Sequence, residues 1–148
     1  MTLTAQDRAR RIKIILFDVD GVLTDGTIWL VPAPDAADRT TSPLRQELSG
    51  KDGQVGFGVH SATMMEAKGY SAHDGAGISL ARIGGLKCGV ITKRISETVA
   101  TRARDLRLEF VYQGQAFKMQ AVRDIMQKEG VSLDEIKAKT EAAFAVAL

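Results

Sequence analysis

The first apolar run in the chain is short and has sharp ends. Ile14-Ile15-Leu16-Phe17 lies between a polar stretch and two aspartates, Asp18 and Asp20. Consecutive apolar residues rich in β-branched and aromatic side chains predict a strand buried on both faces of a parallel sheet. Similar runs return at Leu86–Ile91 and at Glu109–Tyr112. Between them the spacing changes to that of helices. Ile78, Ala81 and Ile83 mark a helix opened by His73, with Asp74 as its N-cap, and Gly84-Gly85 stop it. Ser96 caps a second helix running to about Leu106, with Val99, Ala103 and Leu106 inward. A third spans Phe117 to Glu129, carries Met119, Val122, Ile125 and Met126 on one face, and ends at Gly130. Ser132 and Glu135 have the spacing of a capping box.

Strand alternating with helix predicts an α/β fold: a parallel sheet, right-handed crossovers, and helices on both faces. Thr27–Val31 reads as a strand outside that sheet, ended by Pro32 and Pro34. From Ala33 to about Met64 the periodicity disappears among Pro, Ser, Asp and Gly, apart from an alternation at Val55, Phe57 and Val59. Residues 33–64 therefore read as a long inserted loop within a projecting hairpin, whose second strand falls at about Met65–Ala72. Residues 1–11 are polar and form a loose lead-in or a short helical turn. The 148 residues fit one domain, 1–148.

Composition narrows the function classes. With 45% hydrophobic and 26% charged residues the chain is an ordinary soluble protein. A formal net charge of +2 gives no electrostatic support for nucleic-acid binding. No stretch is long enough to cross a membrane, and Asp18 and Asp20 interrupt the apolar run that follows the basic amino terminus, so no signal peptide is read and the expected location is cytoplasmic. One cysteine, Cys88, rules out an internal disulfide and a thiolate zinc cluster, and its apolar neighbours predict a buried side chain.

The chemistry concentrates at the end of the first strand. Open α/β sheets bind ligands at the carboxyl ends of their strands. In an extended chain Asp18 and Asp20 share a side, because side chains alternate with period two. One carboxylate can attack phosphorus and become an aspartyl phosphate, and the other can pass a proton to the leaving oxygen and later take one from water. Magnesium suits such a place, since it uses one or two carboxylates plus substrate phosphate and keeps several waters. Gly21 lets the chain turn and a ligand approach the backbone. The competing reading is a solvated Asp-Val-Asp-Gly turn. Thr92, directly after the second buried strand, either enters a helix or offers its hydroxyl and N–H to a phosphate oxygen, if the two strands are neighbours.

Asp18-Val-Asp-Gly-Val-Leu-Thr-Asp-Gly resembles the first motif of the haloacid-dehalogenase (HAD) superfamily of phosphatases. His73-Asp-Gly-Ala-Gly-Ile, Gly89-Val-Ile-Thr-Lys-Arg and Tyr112-Gln-Gly-Gln-Ala-Phe-Lys118 resemble its small, capless branch acting on KDO 8-phosphate. The resemblance covers about Ile12–Pro32 and Glu66–Ile136. It implies a HAD-like Rossmannoid fold and Mg2+-dependent hydrolysis of a sugar-acid phosphate, part of lipopolysaccharide biosynthesis, in a homotetramer whose hairpins pack between subunits. It makes Asp18 nucleophile and metal ligand, and Asp20 acid/base with its carbonyl on the metal. Thr92 and Lys118 would hold the phosphoryl group, and Lys118 would also neutralise Asp18. Arg94 would bind the substrate carboxylate or the phosphate. His73 and Asp74 match an Arg-Asp-Gly segment and would reach phosphate or sugar, or stay at the surface. Thr24 would fix the loop, and Asp25 would be structural or near the metal.

Two departures stand out. Lys93 replaces the glycine of Thr-Gly-Arg, and no Gly-Asp-Asp follows Lys118. In the resembled fold that motif ends a strand pairing with the first one. Its absence predicts a C-terminally truncated fold with an exposed central-strand edge. Residues 137–148 read as an atypical tail: helix over Lys137–Ala143, or a replacement strand over Ala142–Leu148. The alternative function is accordingly a truncated, inactive relative that serves as an oligomerisation or binding module.

Overall fold

The computed structural model describes residues 4–33, 58, 61 and 63–139. The elements run α1 (Ala5–Arg11), β1 (Ile14–Phe17), β2 (Trp29–Pro32), β3 (Met64–Ala67), α2 (Ala72–Ile83) and β4 (Lys87–Ile91). They continue as α3 (Glu97–Asp105), β5 (Phe110–Tyr112), α4 (Lys118–Glu129), a 3₁₀ turn (Leu133–Glu135) and β6 (Ile136–Lys139). The expected alternation at Val55, Phe57 and Val59 lies outside the described residues, as do Thr140–Leu148.

Four strands make an all-parallel sheet in the order β5-β4-β1-β6. The near-continuous apolar character of β1 and β4 has the expected cause, since the sheet is covered on both faces. On one face Ile14, Leu16, Ile91 and Phe110 pack against Ala121, Val122 and Ile125 of α4. On the other, Cys88 and Val90 pack with Val19, Ile78 of α2, and Val99 of α3. Gly89 of β4 permits a close approach to β5: a Cβ there would stand 2.5 Å from the Phe110 Cβ. β2 and β3 form a separate antiparallel pair in which Leu30 faces Glu66.

The tail departs from expectation. Residues 137–139 are strand rather than helix, and β6 pairs with β1 in register, from Ile14 opposite Ile136 to Phe17 opposite Lys139. The edge of β1 is therefore covered by the chain's own residues. Two alanine- and lysine-rich turns of helix offer little against a ladder of backbone bonds to a central strand, whose groups otherwise lose their partners. The remainder of the predicted helix, residues 140–143, lies outside the described residues.

Smaller differences have local causes. Ser71, not Asp74, caps α2, its hydroxyl accepting the His73 N–H at 3.2 Å. Ser96 stands at the start of α3, but its hydroxyl pairs with that of Thr98. Ile83 and Met119, apolar marks of their helices in the sequence, are exposed, because the sheet covers only one stripe of each helix. β3 stops at Ala67, five residues short of the expected end, since α2 begins at Ala72.

Candidate active site

β1 stops at Phe17, and the next residues turn. The N–H groups of Val22, Leu23 and Thr24 converge on the Val19 carbonyl, at 3.2, 3.0 and 3.1 Å. Asp18 and Asp20 thus belong to a loop, and the period-two argument for their shared side does not apply. Gly21 adopts a φ of +79°, a left-handed conformation that other residues enter at a cost. Thr24 fixes the loop as expected: its buried hydroxyl donates to the Val19 carbonyl at 3.3 Å and accepts the Gly26 N–H at 3.2 Å. Asp25 accepts the Thr27 N–H at 2.9 Å and is exposed, a structural part.

Each aspartate has its own cation. Asp18 accepts the Val19 N–H at 2.8 Å through Oδ1, and its Oδ2 meets the Lys118 ammonium. Lys118 is the first residue of α4, and its contact with Asp18 joins two places 100 residues apart. The turn out of β5, with Gly114 at a φ of +72°, brings that helix start to the sheet's carboxyl end. Asp20 Oδ1 meets Lys68, and its Oδ2 lies 4.0 Å from Arg94 Nε.

Lys68 and Glu66 are the partners that sequence reasoning missed. Lys68, just past β3, has a fully buried side chain that also faces Glu66 Oε1 at 3.2 Å. Glu66 is buried too, and its Oε2 accepts from Arg94 Nη2 at 2.6 Å. Burial alone would raise the Glu66 carboxyl. Hydrogen bonds from Arg94 and Ser96 and the charge of Lys68 outweigh it and hold the group below its ordinary value. Their spacing fits this placement without pointing to it. Glu66 and Lys68 are two apart, so in a strand both leave one side while Met65 and Ala67 leave the other.

Thr92 is buried at the carboxyl end of β4, the direct neighbour of β1. Its N–H donates to the Tyr112 carbonyl at 2.9 Å, so the expectation that this N–H binds phosphate is corrected: the sheet uses it, and only the hydroxyl is available for such a role. Arg94 sits between Glu66 and Asp20. His73 and Asp74 are exposed in the first turn of α2 and, among the described residues, do not join the acidic loop through their side chains. Their backbone position is explained by the Ser71 cap rather than by the site.

For a divalent cation the donors on hand are hard oxygens: the Asp18 carboxylate and the Asp20 carbonyl, the turn's N–H groups going to the Val19 carbonyl instead. That set fits magnesium, which accepts few protein ligands and completes its shell with phosphate oxygen and water. Among the described residues there is no cluster of three or more His, Cys, Asp or Glu that could hold a metal.

The parallel sheet with helices on both faces, carrying an acidic Asp-x-Asp-Gly loop at its central strand, is a HAD-like α/β fold. A HAD superfamily (subfamily III A) structure from Legionella pneumophila shares this fold at a TM-score of 0.64 and 23% identity, over 89% of this chain and 56% of that one. No family model matches the chain. Within the class, the chain resembles 3-deoxy-D-manno-octulosonate 8-phosphate (KDO 8-phosphate) phosphatase. It is 26% identical to the phosphatase KdsC of Escherichia coli K12 over 129 residues, 87% of this chain and 53% of the relative. The phosphatase of Moraxella catarrhalis, solved with magnesium ion, phosphate ion and KDO, superposes with a TM-score of 0.65 at 26% identity, over 88% of this chain and 58% of that one. The chain thus spans about half the length of the curated relatives it matches.

Proposed function

We propose that this chain carries a phosphomonoesterase acting on a sugar-acid phosphate, KDO 8-phosphate being the substrate the resemblance favours. The observation that carries the reading is the Lys118–Asp18 contact, which places a cation beside the carboxylate at the tip of the central strand. Asp18 attacks phosphorus, the bond from phosphorus to the leaving oxygen breaks, and Asp20 gives that oxygen a proton. Water then attacks the aspartyl phosphate, returns a proton to Asp20, and releases phosphate with Asp18 restored. Lys118 offsets charge on the phosphoryl oxygens, the Thr92 hydroxyl donates to one of them, and Gly21 leaves room for their approach. Arg94, His73 and Asp74 are the candidates for the sugar acid. Asp18 and the Asp20 carbonyl would hold Mg2+, whose charge, when bound, lets an anionic carboxylate meet an anionic ester.

The test is phosphate release from KDO 8-phosphate and from p-nitrophenyl phosphate with and without magnesium, beside an Asp18→Asn control. Metal-dependent release that the control abolishes is expected. Equal rates for the two proteins would defeat the proposal.

The exposed Ile28, Trp29 and Leu30 on and beside β2 support association of several copies, a homotetramer by the resemblance, and sedimentation would read it. The same apolar hairpin supports the second reading, an inactive relative used as an oligomerisation or binding module. Assembly without phosphate release would favour it. Among the described residues no helix is long and apolar enough to cross a membrane; a cytoplasmic location is proposed from the resemblance.

A further inference from the structure

The hairpin strand β3 does more than project from the sheet. Its Glu66 and the following Lys68 close a ring of four charges with Asp20 and Arg94. Lys68 Nζ meets Asp20 Oδ1 and lies 3.2 Å from Glu66 Oε1. Arg94 Nη2 donates to Glu66 Oε2 at 2.6 Å, while its Nε lies 4.0 Å from Asp20 Oδ2. Two acids therefore alternate with two bases, and each oxygen of both carboxylates faces a cation. Glu66 Oε1 and Arg94 Nε are buried with no well-aligned hydrogen-bond partner, so charge attraction carries much of the ring at those corners. Such a ring resists rotation of any one member, because turning a carboxylate takes from the fully buried Lys68 one of its two acidic partners. The hydrolytic mechanism uses Asp20 and Arg94 and leaves Glu66 and Lys68 without a part.

We infer that Glu66 and Lys68 are positioning residues which, through Arg94 and directly, fix the orientation in which Asp20 serves the leaving oxygen. The inference rests on the phosphatase reading above. Neither residue is given a contact with substrate; Lys68 acts by holding the Asp20 carboxyl and Glu66 by holding Lys68 and Arg94. A carboxylic acid helps a departing oxygen only within hydrogen-bond reach and along the correct direction, so the effect of losing the ring depends on how much help the leaving group needs. A sugar alkoxide needs a proton, whereas p-nitrophenolate leaves readily without one.

The experiment compares kcat and KM on KDO 8-phosphate and on p-nitrophenyl phosphate, with magnesium, for the wild type, Glu66→Gln, Lys68→Met and Lys68→Arg. Glu66→Gln and Lys68→Met should lower kcat on the sugar phosphate at least about 10-fold more than on the aryl phosphate. KM should change little, and Lys68→Arg should recover most of the difference. An equal fall on both substrates, or a change confined to KM, would overturn the inference while leaving the phosphatase reading intact. A wild type that releases phosphate from neither substrate overturns that reading, and this inference with it. If Lys68→Met fails to fold, Glu66→Gln, which keeps the side-chain volume, and Lys68→Arg carry the same comparison.

Discussion

Lys118→Ala removes the cation beside Asp18, and the structure sets the size of the expected loss. The Asp18 side chain is 16% exposed and that of Lys118 28%. Two unit charges about 3 Å apart attract by ~5 kcal/mol at an effective dielectric constant of about 20. Desolvation and partial exposure reduce this to the about 1.5–3 kcal/mol typical of a hydrogen bond between charged groups. In the resting protein the loss is softer still, because Asp18 Oδ1 keeps the Val19 N–H at 2.8 Å. The change in unfolding free energy, read by urea denaturation, should therefore stay below ~2 kcal/mol. In the proposed phosphoryl transfer negative charge would grow beside the same ammonium. Removing one such donor costs about 100- to 1000-fold in kcat, or ~2.7–4 kcal/mol. The assay is initial phosphate release at saturating magnesium and substrate. A folded Lys118→Ala protein whose kcat stays within about threefold of wild type, ~0.7 kcal/mol, would refute the role.

Other consequences are simpler to measure. Gly89→Ala places a Cβ 2.5 Å from the Phe110 Cβ and 2.8 Å from its carbonyl oxygen, so it should destabilise by about 1–3 kcal/mol in urea denaturation. Ile125→Ala empties a fully buried site between α4 and the sheet, and the same assay should lose about 2–5 kcal/mol. Hydrogen bonds from Lys13 and from the Ser132 N–H lower the Glu135 carboxyl from an ordinary 4.5 to about 2. A depressed native value stabilises above the unfolded value and loses that contribution as pH falls through the native one. Thermal midpoints followed from pH 5 down to pH 2 should thus fall less steeply for Glu135→Gln than for wild type, and identical slopes would contradict the pairing.

Some of this was written plainly in the chain. Ile14–Phe17 could hardly be anything but a buried strand, and the turn after it needs Gly21 at positive φ. Lys118 follows the third strand and a glycine turn, but only the resemblance of Tyr112-Gln-Gly-Gln-Ala-Phe-Lys118 singled it out from an ordinary surface lysine. β6 was not legible, because Lys137-Ala-Lys139 carries no β-branched or aromatic residue. Its strand state is imposed by β1, whose outer edge needs backbone partners. Glu66 and Lys68 were hidden for another reason. A glutamate and a lysine in a short hairpin strand ordinarily face water, and only the folding of the hairpin toward Asp20 and Arg94 buries them.

The two aspartates end with partners of different character, and under the proposed chemistry the difference has a use. Asp18 must approach phosphorus and change its bonding. Its cation stands at the end of a flexible, partly exposed lysine on a helix start, free to follow charge from carboxylate to phosphoryl oxygen. Asp20 must stay still while protons pass, and its cations are a fully buried lysine and an arginine already gripped by buried Glu66. A mobile partner for Asp20 would cost orientation at each turnover, and a rigid partner for Asp18 would hold the attacking oxygen back from the ester. Exchanging Lys68 for Arg should therefore be tolerated better than tightening the grip on Asp18 by Lys118→Arg. A fork able to bind both Asp18 oxygens should slow the first chemical step more than it weakens substrate binding. Single-turnover rates with KDO 8-phosphate measure this directly, and a Lys118→Arg protein as fast as wild type in that step would show that mobility at this position is irrelevant.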